Sequence, residues 1–203
     1  MIGIIDYGVG NLFSLKSSFH AIGAEAFVSG DPAALEKADR LILPGVGAFG
    51  DAAAKLRESG LDAFVKEQAA GGKPLMGICL GMQLLFEKGF EYGEHEGLGL
   101  LPGQVVPMEG VLDPALKIPH IGWNALKLYQ PDCPIFKYIR EGDHVYFVHS
   151  FYADGCGDAL AADTEYGARL TAAVAKGNVF GCQFHPEKSG SVGLNILKGF
   201  CEV

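Results

Sequence analysis

The sequence predicts a three-layer α/β/α fold whose mostly parallel central sheet is extended by antiparallel strands. Three observations lead there. Short apolar runs alternate four times with helix-like stretches between Ile2 and Gln83, as in a parallel sheet covered on both faces. Beyond Gly97 this alternation gives way to strand-like runs separated by turn residues. Hydrophobic residues fill 49% of the 203 positions and charged residues 20%, which is enough for a sizeable core and excludes disorder.

Ile2–Ile5 reads as a short buried strand, and Tyr7-Gly8-Val9-Gly10-Asn11 turns from it into a helix. Leu12, Leu15, Phe19 and Ile22 recur there at spacings of three and four, giving that helix an apolar stripe. A second unit follows, with Ala26–Val28 as strand and Asp31-Pro32 opening the helix. The third is Arg40–Leu43, followed by a glycine-rich loop and helices around 51–58 and 61–70. The fourth strand, Leu75–Ile78, runs into Gly77-Ile78-Cys79-Leu80-Gly81 and a helix-like segment. Later strand candidates span 104–108, 122–128, 144–148, 160–162, 172–175 and 179–184, with a closing helix near 191–202. These strands are expected to join the same sheet, and without a linker the chain is expected to form one domain, 1–203.

No stretch approaches the roughly 20 apolar residues of a membrane span. The net charge of −8 argues against a footprint for nucleic-acid phosphates. Five cysteines, odd in number and without a C-x-x-C pair, suggest neither a disulfide framework nor a zinc site. A soluble, unexported protein in a reducing cytoplasm is therefore expected, with no metal and no cofactor.

The chemistry concentrates at Cys79. Gly77 and Gly81 flank it by two residues on each side, the pattern of a nucleophile elbow with cysteine as the nucleophile. Such a turn bends too sharply for side chains at the flanking positions, and it lifts the sulfur over the start of the following helix, where free N–H groups favour a thiolate. A base is needed, and His185 stands where the strand Val179–Phe184 runs out, at the sheet edge where reactive groups gather. Glu187, two residues on, lies on the same face of an extended segment and can fix the ring's tautomer. For an oxyanion, the N–H of Leu80 is one donor. The second is expected from the loop Pro44-Gly45-Val46-Gly47, which lacks the endings of either nucleotide-binding glycine motif. The residues alone leave open a cysteine hydrolase of another class, such as a peptidase.

Gly77–Gln83 together with Gln183-Phe184-His185-Pro186-Glu187-Lys188 resembles the class I, triad-type glutamine amidotransferases. Pro44–Gly47, Pro119-His120-Ile121-Gly122-Trp123-Asn124 and Tyr146–Tyr152 are similar to the glutaminase subunits of imidazole glycerol phosphate synthase, nearly end to end. Related glutaminases often carry histidine where Met82 stands. The resemblance implies that Cys79 attacks the glutamine amide, His185 moves the proton and Glu187 orients His185. It implies glutamine contacts at Gly45, Gly47, Gln83, Ser150 and Phe151, with Val46 and Gly47 completing the oxyanion site. It also implies a (β/α)8-barrel cyclase as partner in a heterodimer, to which ammonia passes in histidine biosynthesis. Asn11, Trp123 and Lys188 are the candidate contacts. A different synthase partner, or a silent interaction subunit, remains open at this point. Glycines on both sides of Val46 make a backbone flip inexpensive, so the second oxyanion donor is expected to turn inward only with the partner and its substrate bound.

Overall fold

In the computed structural model, which describes residues 1–203, the first strands are β1 (Ile2–Ile5), β2 (Ala26–Ser29), β3 (Arg40–Leu43) and β4 (Leu75–Ile78). They alternate with helices α1 (Leu12–Ala21), α2 (Pro32–Leu35), α3 (Phe49–Glu58) and α4 (Leu61–Ala70). A single helical turn, α5 (Leu80–Gln83), follows β4. Then come β5 (Lys88–Gly89), β6 (His95–Glu96), β7 (Gln104–Pro107), β8 (His120–Ala125), β9 (Lys127–Leu128), β10 (His144–His149) and β11 (Phe151–Asp154). The chain ends with β12 (Leu160–Glu165), β13 (Arg169–Lys176), β14 (Val179–Cys182) and α6 (Gly190–Cys201).

The central sheet has eight strands in the order β2-β1-β3-β4-β14-β13-β12-β9. From β2 to β14 all neighbours run parallel, and from β14 to β9 they run antiparallel. The strands at the centre of its parallel part, β1 and β4, are apolar throughout because side chains alternate between two cores. Ile5, Leu41, Leu43 and Leu75 enter one core with Leu56 of α3 and Val65 of α4. Ile4, Ile42, Met76 and Ile78 enter the other with Phe19 of α1 and Phe200 of α6. Helix starts follow local chemistry: the Asn11 side chain accepts from Ser14 N–H at 3.3 Å, and Asp31 accepts from Ala33 N–H ahead of α2.

One expectation about the second half fails. The strands after Gly97 do not all join the central sheet: β8 and β10 form an antiparallel ribbon of their own, and β11-β7-β5-β6 form a third sheet. Period-two patterning reports that a segment is extended and which side is buried, but not which strand it pairs with. β8 shows the reason, since its burial alternates from His120 (buried) to Ile121 (58% exposed) and Trp123 (52% exposed), so only one face is covered. His95 lies in β6 and is half-buried beside Gly50 of α3, although the polar run Glu91–Glu96 reads from sequence as an exposed loop. Cys182 is fully buried and desolvation pushes its thiol pKa well up, which leaves it inert.

Candidate active site

β3, β4 and β14 end in register, with Gly77 opposite both Leu43 and Gly181, and Ile78 opposite Cys182. Their parallel directions bring the segments after them to one edge: Pro44–Gly47, Cys79 and Gln183–Glu187. Cys79 N–H donates to Cys182 O at 2.8 Å, tying the elbow to the strand that leads to His185. Cys79 has φ 54° and ψ −114°, a backbone state that L residues avoid and that surrounding structure must enforce. A Cβ at Gly77 would lie 2.6 Å from Gly81 O, and one at Gly81 would lie 1.8 Å from Leu43 O. Steric exclusion at both flanking positions is thus met in full.

The helix after the elbow is shorter than the motif suggests. α5 ends after Gln83, where Leu85 N–H bonds Met82 O and Phe86 N–H bonds Gln83 O in tighter turns. One turn supplies unpaired N–H groups but only a fraction of a helix dipole, so local donors rather than a macrodipole serve the sulfur.

His185 Nδ1 is 2.8 Å from Glu187 Oε1, and both side chains are almost wholly buried, 4% and 2% exposed. Because the carboxylate accepts, Nδ1 carries a proton and Nε2 is left for the sulfur. Burial opposes charge on this ring, but its interactions with the Cys79 sulfur and the Glu187 carboxylate prevail and raise its pKa to about 9. His149, in contrast, is held down at about 3 chiefly by burial. The two have opposite effects on stability. The His185 contribution is fully present below about pH 6.5, its unfolded value, and fades as pH rises through about 9. The His149 contribution is full above about pH 6.5 and is lost as pH falls toward 3. Urea titrations from pH 5 to 10 are expected to show a stability maximum near pH 6.5 to 7. His185→Gln should flatten the loss between pH 6.5 and 9; an unchanged alkaline limb in that variant counts against the assignment.

A pocket of about 420 Å³ joins these groups and is lined by Val46, Gly47, Cys79, Leu80, Gln83, Ser150, Phe151, His185 and Lys188, among others. It thus gathers the proposed nucleophile, base, oxyanion loop and most of the expected glutamine contacts. Gly45 lies beneath, where a Cβ would stand 2.7 Å from Gly81 N, so the loop presses directly on the elbow. Gly47 has φ 98° with open space around it, while Val46 is 43% exposed. Three residues escape sequence reasoning. Buried Tyr7 donates its hydroxyl to Pro44 O at 2.7 Å and steadies the loop. Glu91 lines the pocket and accepts from Phe49 N–H at 2.7 Å, putting a carboxylate at the start of α3. Gln183 accepts from Gln83 Nε2 at 2.9 Å and directs its own Nε2 toward Cys79 Sγ at 3.8 Å. Only Gln183 carried a signal, its place beside His185.

Of the candidate partner contacts, Trp123 and Lys188 share one patch: Tyr146 lies between them, its ring 6.0 Å from that of Trp123 and 5.9 Å from Lys188 Nζ. Asn11 is exposed but already occupied as the cap of α1, whose side packs against the turn holding Lys188. No helix is long and apolar enough to cross a membrane.

A cysteine elbow, a carboxylate-held histidine and a glycine loop thus meet at one sheet edge, in the arrangement an acyl-transfer site requires. The glutamine amidotransferase class-I family matches residues 4–202, and the chain belongs to it. Within that family it is 53% identical to the imidazole glycerol phosphate synthase subunit HisH of Bacillus licheniformis, over 98% of this chain and 95% of the relative. It is 50% identical to the subunit HisH of Geobacillus kaustophilus, again over 98% and 95%. The solved structure of PurLQS from Thermotoga maritima shares the fold with a TM-score of 0.78 at 22% identity, covering 99% of this chain and 97% of that one.

Proposed function

We infer that the chain is the glutaminase subunit of an imidazole glycerol phosphate synthase. It hydrolyses glutamine to glutamate and ammonia and hands the ammonia to a (β/α)8-barrel cyclase, which forms imidazole glycerol phosphate and aminoimidazole carboxamide ribotide in histidine biosynthesis. The observation that carries this reading is the convergence of Cys79, His185 and Glu187 beside one pocket, in a chain about half identical to HisH subunits along its length.

His185, its pKa raised to about 9, holds on Nε2 the proton it has taken from Cys79, and the sulfur attacks the side-chain amide carbon of glutamine. The carbonyl electrons move to oxygen, which meets the N–H of Leu80 and a second N–H from the Val46–Gly47 loop. On collapse the C–N bond breaks, His185 returns the proton and ammonia leaves a glutamyl thioester. Water then attacks, His185 takes its proton, the C–S bond breaks and glutamate departs. Glu187 holds the ring throughout, which keeps Nε2 aimed at the reacting atoms. Gln83, Ser150 and Phe151 present the amino-acid end of the substrate. Free ammonia becomes ammonium in neutral water and ceases to be a nucleophile, so an adjoining acceptor subunit is required; Trp123 and Lys188 form the contact patch for it. The setting is a reducing cytoplasm, in keeping with five cysteines that are all free.

The test is glutamate release by the full chain with and without the cyclase. Glutamate should form in the complex with the cyclase's acceptor substrate bound, and much more slowly in the isolated chain, because the Val46 donor turns inward only with the partner and its substrate bound. No glutamate from the complex would overturn the assignment, and a full rate from the isolated chain would overturn the gating.

A further inference from the structure

A chain of four polar contacts crosses the molecule from the pocket to the exposed ribbon. Phe151 O meets His149 Nδ1 at 2.8 Å, and His149 Nε2 meets His120 Nδ1 at 3.0 Å. His120 Nε2 meets Asn124 Oδ1 at 2.8 Å, and Asn124 Nδ2 donates to Glu165 O at 3.0 Å. Phe151 O also accepts from Gln83 Nε2 at 3.2 Å. Both ends of this chain are carbonyl oxygens that can only accept. His149 Nδ1 can therefore bond Phe151 only as a donor, and His120 Nε2 can bond Asn124 only as a donor; the middle contact needs a proton as well.

Satisfying all contacts takes three ring protons, whereas two neutral imidazoles carry two. The third is disfavoured. His120 is fully buried and its pKa is lowered mainly by desolvation, against the pull of Asn124. His149 is held down at about 3 chiefly by its own burial, with His120 and His185 adding to the opposition to its charge. Tyr166 and Phe147 stack on His120 at 4.1 and 5.1 Å and shut water out. A neutral pair must leave one contact unmade; two bare ring nitrogens repel at 3.0 Å, so the middle contact keeps its proton and the gap falls at Phe151 or at Asn124.

We propose that His120 and His149 are positioning residues for glutamine, a two-state tautomer relay in which whatever engages Asn124 decides whether His149 donates to the Phe151 carbonyl. With Nδ1 protonated, His149 fixes that carbonyl at the pocket wall. With Nε2 protonated, His149 donates to His120, His120 donates to Asn124, and a lone pair faces Phe151 instead. Asn124 sits beside Trp123 on β8, so a partner docking on this ribbon has a hydrogen-bonded route to the pocket. The inference rests on the glutaminase reading and specifies its regulation.

The experiment uses the full chain with 15N-labelled histidine, and kinetics on its complex with the cyclase. In the wild type, the His149 Nδ1 resonance should lie between the protonated and unprotonated limits; in Asn124→Leu it should shift to the protonated limit. His149→Phe should raise KM for glutamine about tenfold, the worth of one hydrogen bond, and change kcat much less. His149→Asn, which keeps a donor in the Nδ1 position, should recover most of that loss. A His149 resonance unmoved by Asn124→Leu, or a histidine pair carrying three protons at neutral pH, would overturn the relay. Glutamate release by the wild-type complex separates the two readings, because release with unmoved resonances removes the relay alone.

Discussion

Cys79→Ala is expected to lower kcat for glutamine hydrolysis by about 10⁴-fold or more while leaving the fold intact. The substitution removes one sulfur and keeps the Cβ, so no neighbour must move. The strained backbone at φ 54° costs the same for alanine as for cysteine. Stability should therefore change by about 1 kcal/mol or less. Without the thiol, no covalent intermediate forms, and the remaining groups can only orient water. His185→Ala should cause a comparable loss, since the thiol then lacks a proton acceptor. The double variant should be no slower than Cys79→Ala, because the three side chains act as one device and their losses do not add. Glutamate release by the complex, alongside urea midpoints, checks all three. More than a tenth of wild-type turnover in Cys79→Ala, with the midpoint retained, would end the thioester mechanism.

How much of this was legible beforehand depends on the range of the forces involved. The elbow was readable because its constraint is local: Gly77 and Gly81 exclude side chains from a turn only five residues long. The first four strands were readable because continuous apolar runs have few alternatives to a sheet buried on both faces. His185 and Glu187 were readable because two residues of extended chain place both on one side. Pairing was not readable. Nothing local tells β8 to take β10 as partner instead of the central sheet, and β5 and β6 have only two residues each, too few for a period. Tyr7, Glu91 and the His120–His149 pair depend on contacts between residues 29 to 42 positions apart, which only the folded chain brings together. The brevity of α5 was hidden as well, since Leu80-Gly81-Met82-Gln83-Leu84-Leu85-Phe86 could continue as a helix.

Gly81→Ala is expected to destabilise the protein by at least about 4 kcal/mol, a large share of what holds a domain of this size together. The added Cβ would sit 1.8 Å from Leu43 O, 2.7 Å from Leu43 C and 3.0 Å from Pro44 C. All three are backbone atoms of β3 and the loop after it, with no flexible side chain to swing aside. β3 is pinned between β1 and β4, so relief would require parting the central sheet or dismantling the elbow. Gly77→Ala meets backbone at 2.6 Å, still a severe clash, and ranks next. Gly47→Ala provides the contrast: nothing lies within 4 Å of its Cβ, and only φ 98° resists, at about 1 to 2 kcal/mol. Urea midpoints should therefore fall in the order Gly47→Ala, Gly77→Ala, Gly81→Ala, with the last insoluble or unfolded at 25 °C. Gly47→Ala should remain folded yet lose turnover, because alanine resists the backbone state that the oxyanion loop needs. A wild-type midpoint for Gly81→Ala would mean that the Leu43 carbonyl is free to retreat. The elbow would then not be held rigidly by the sheet, and the strain at Cys79 would have no support.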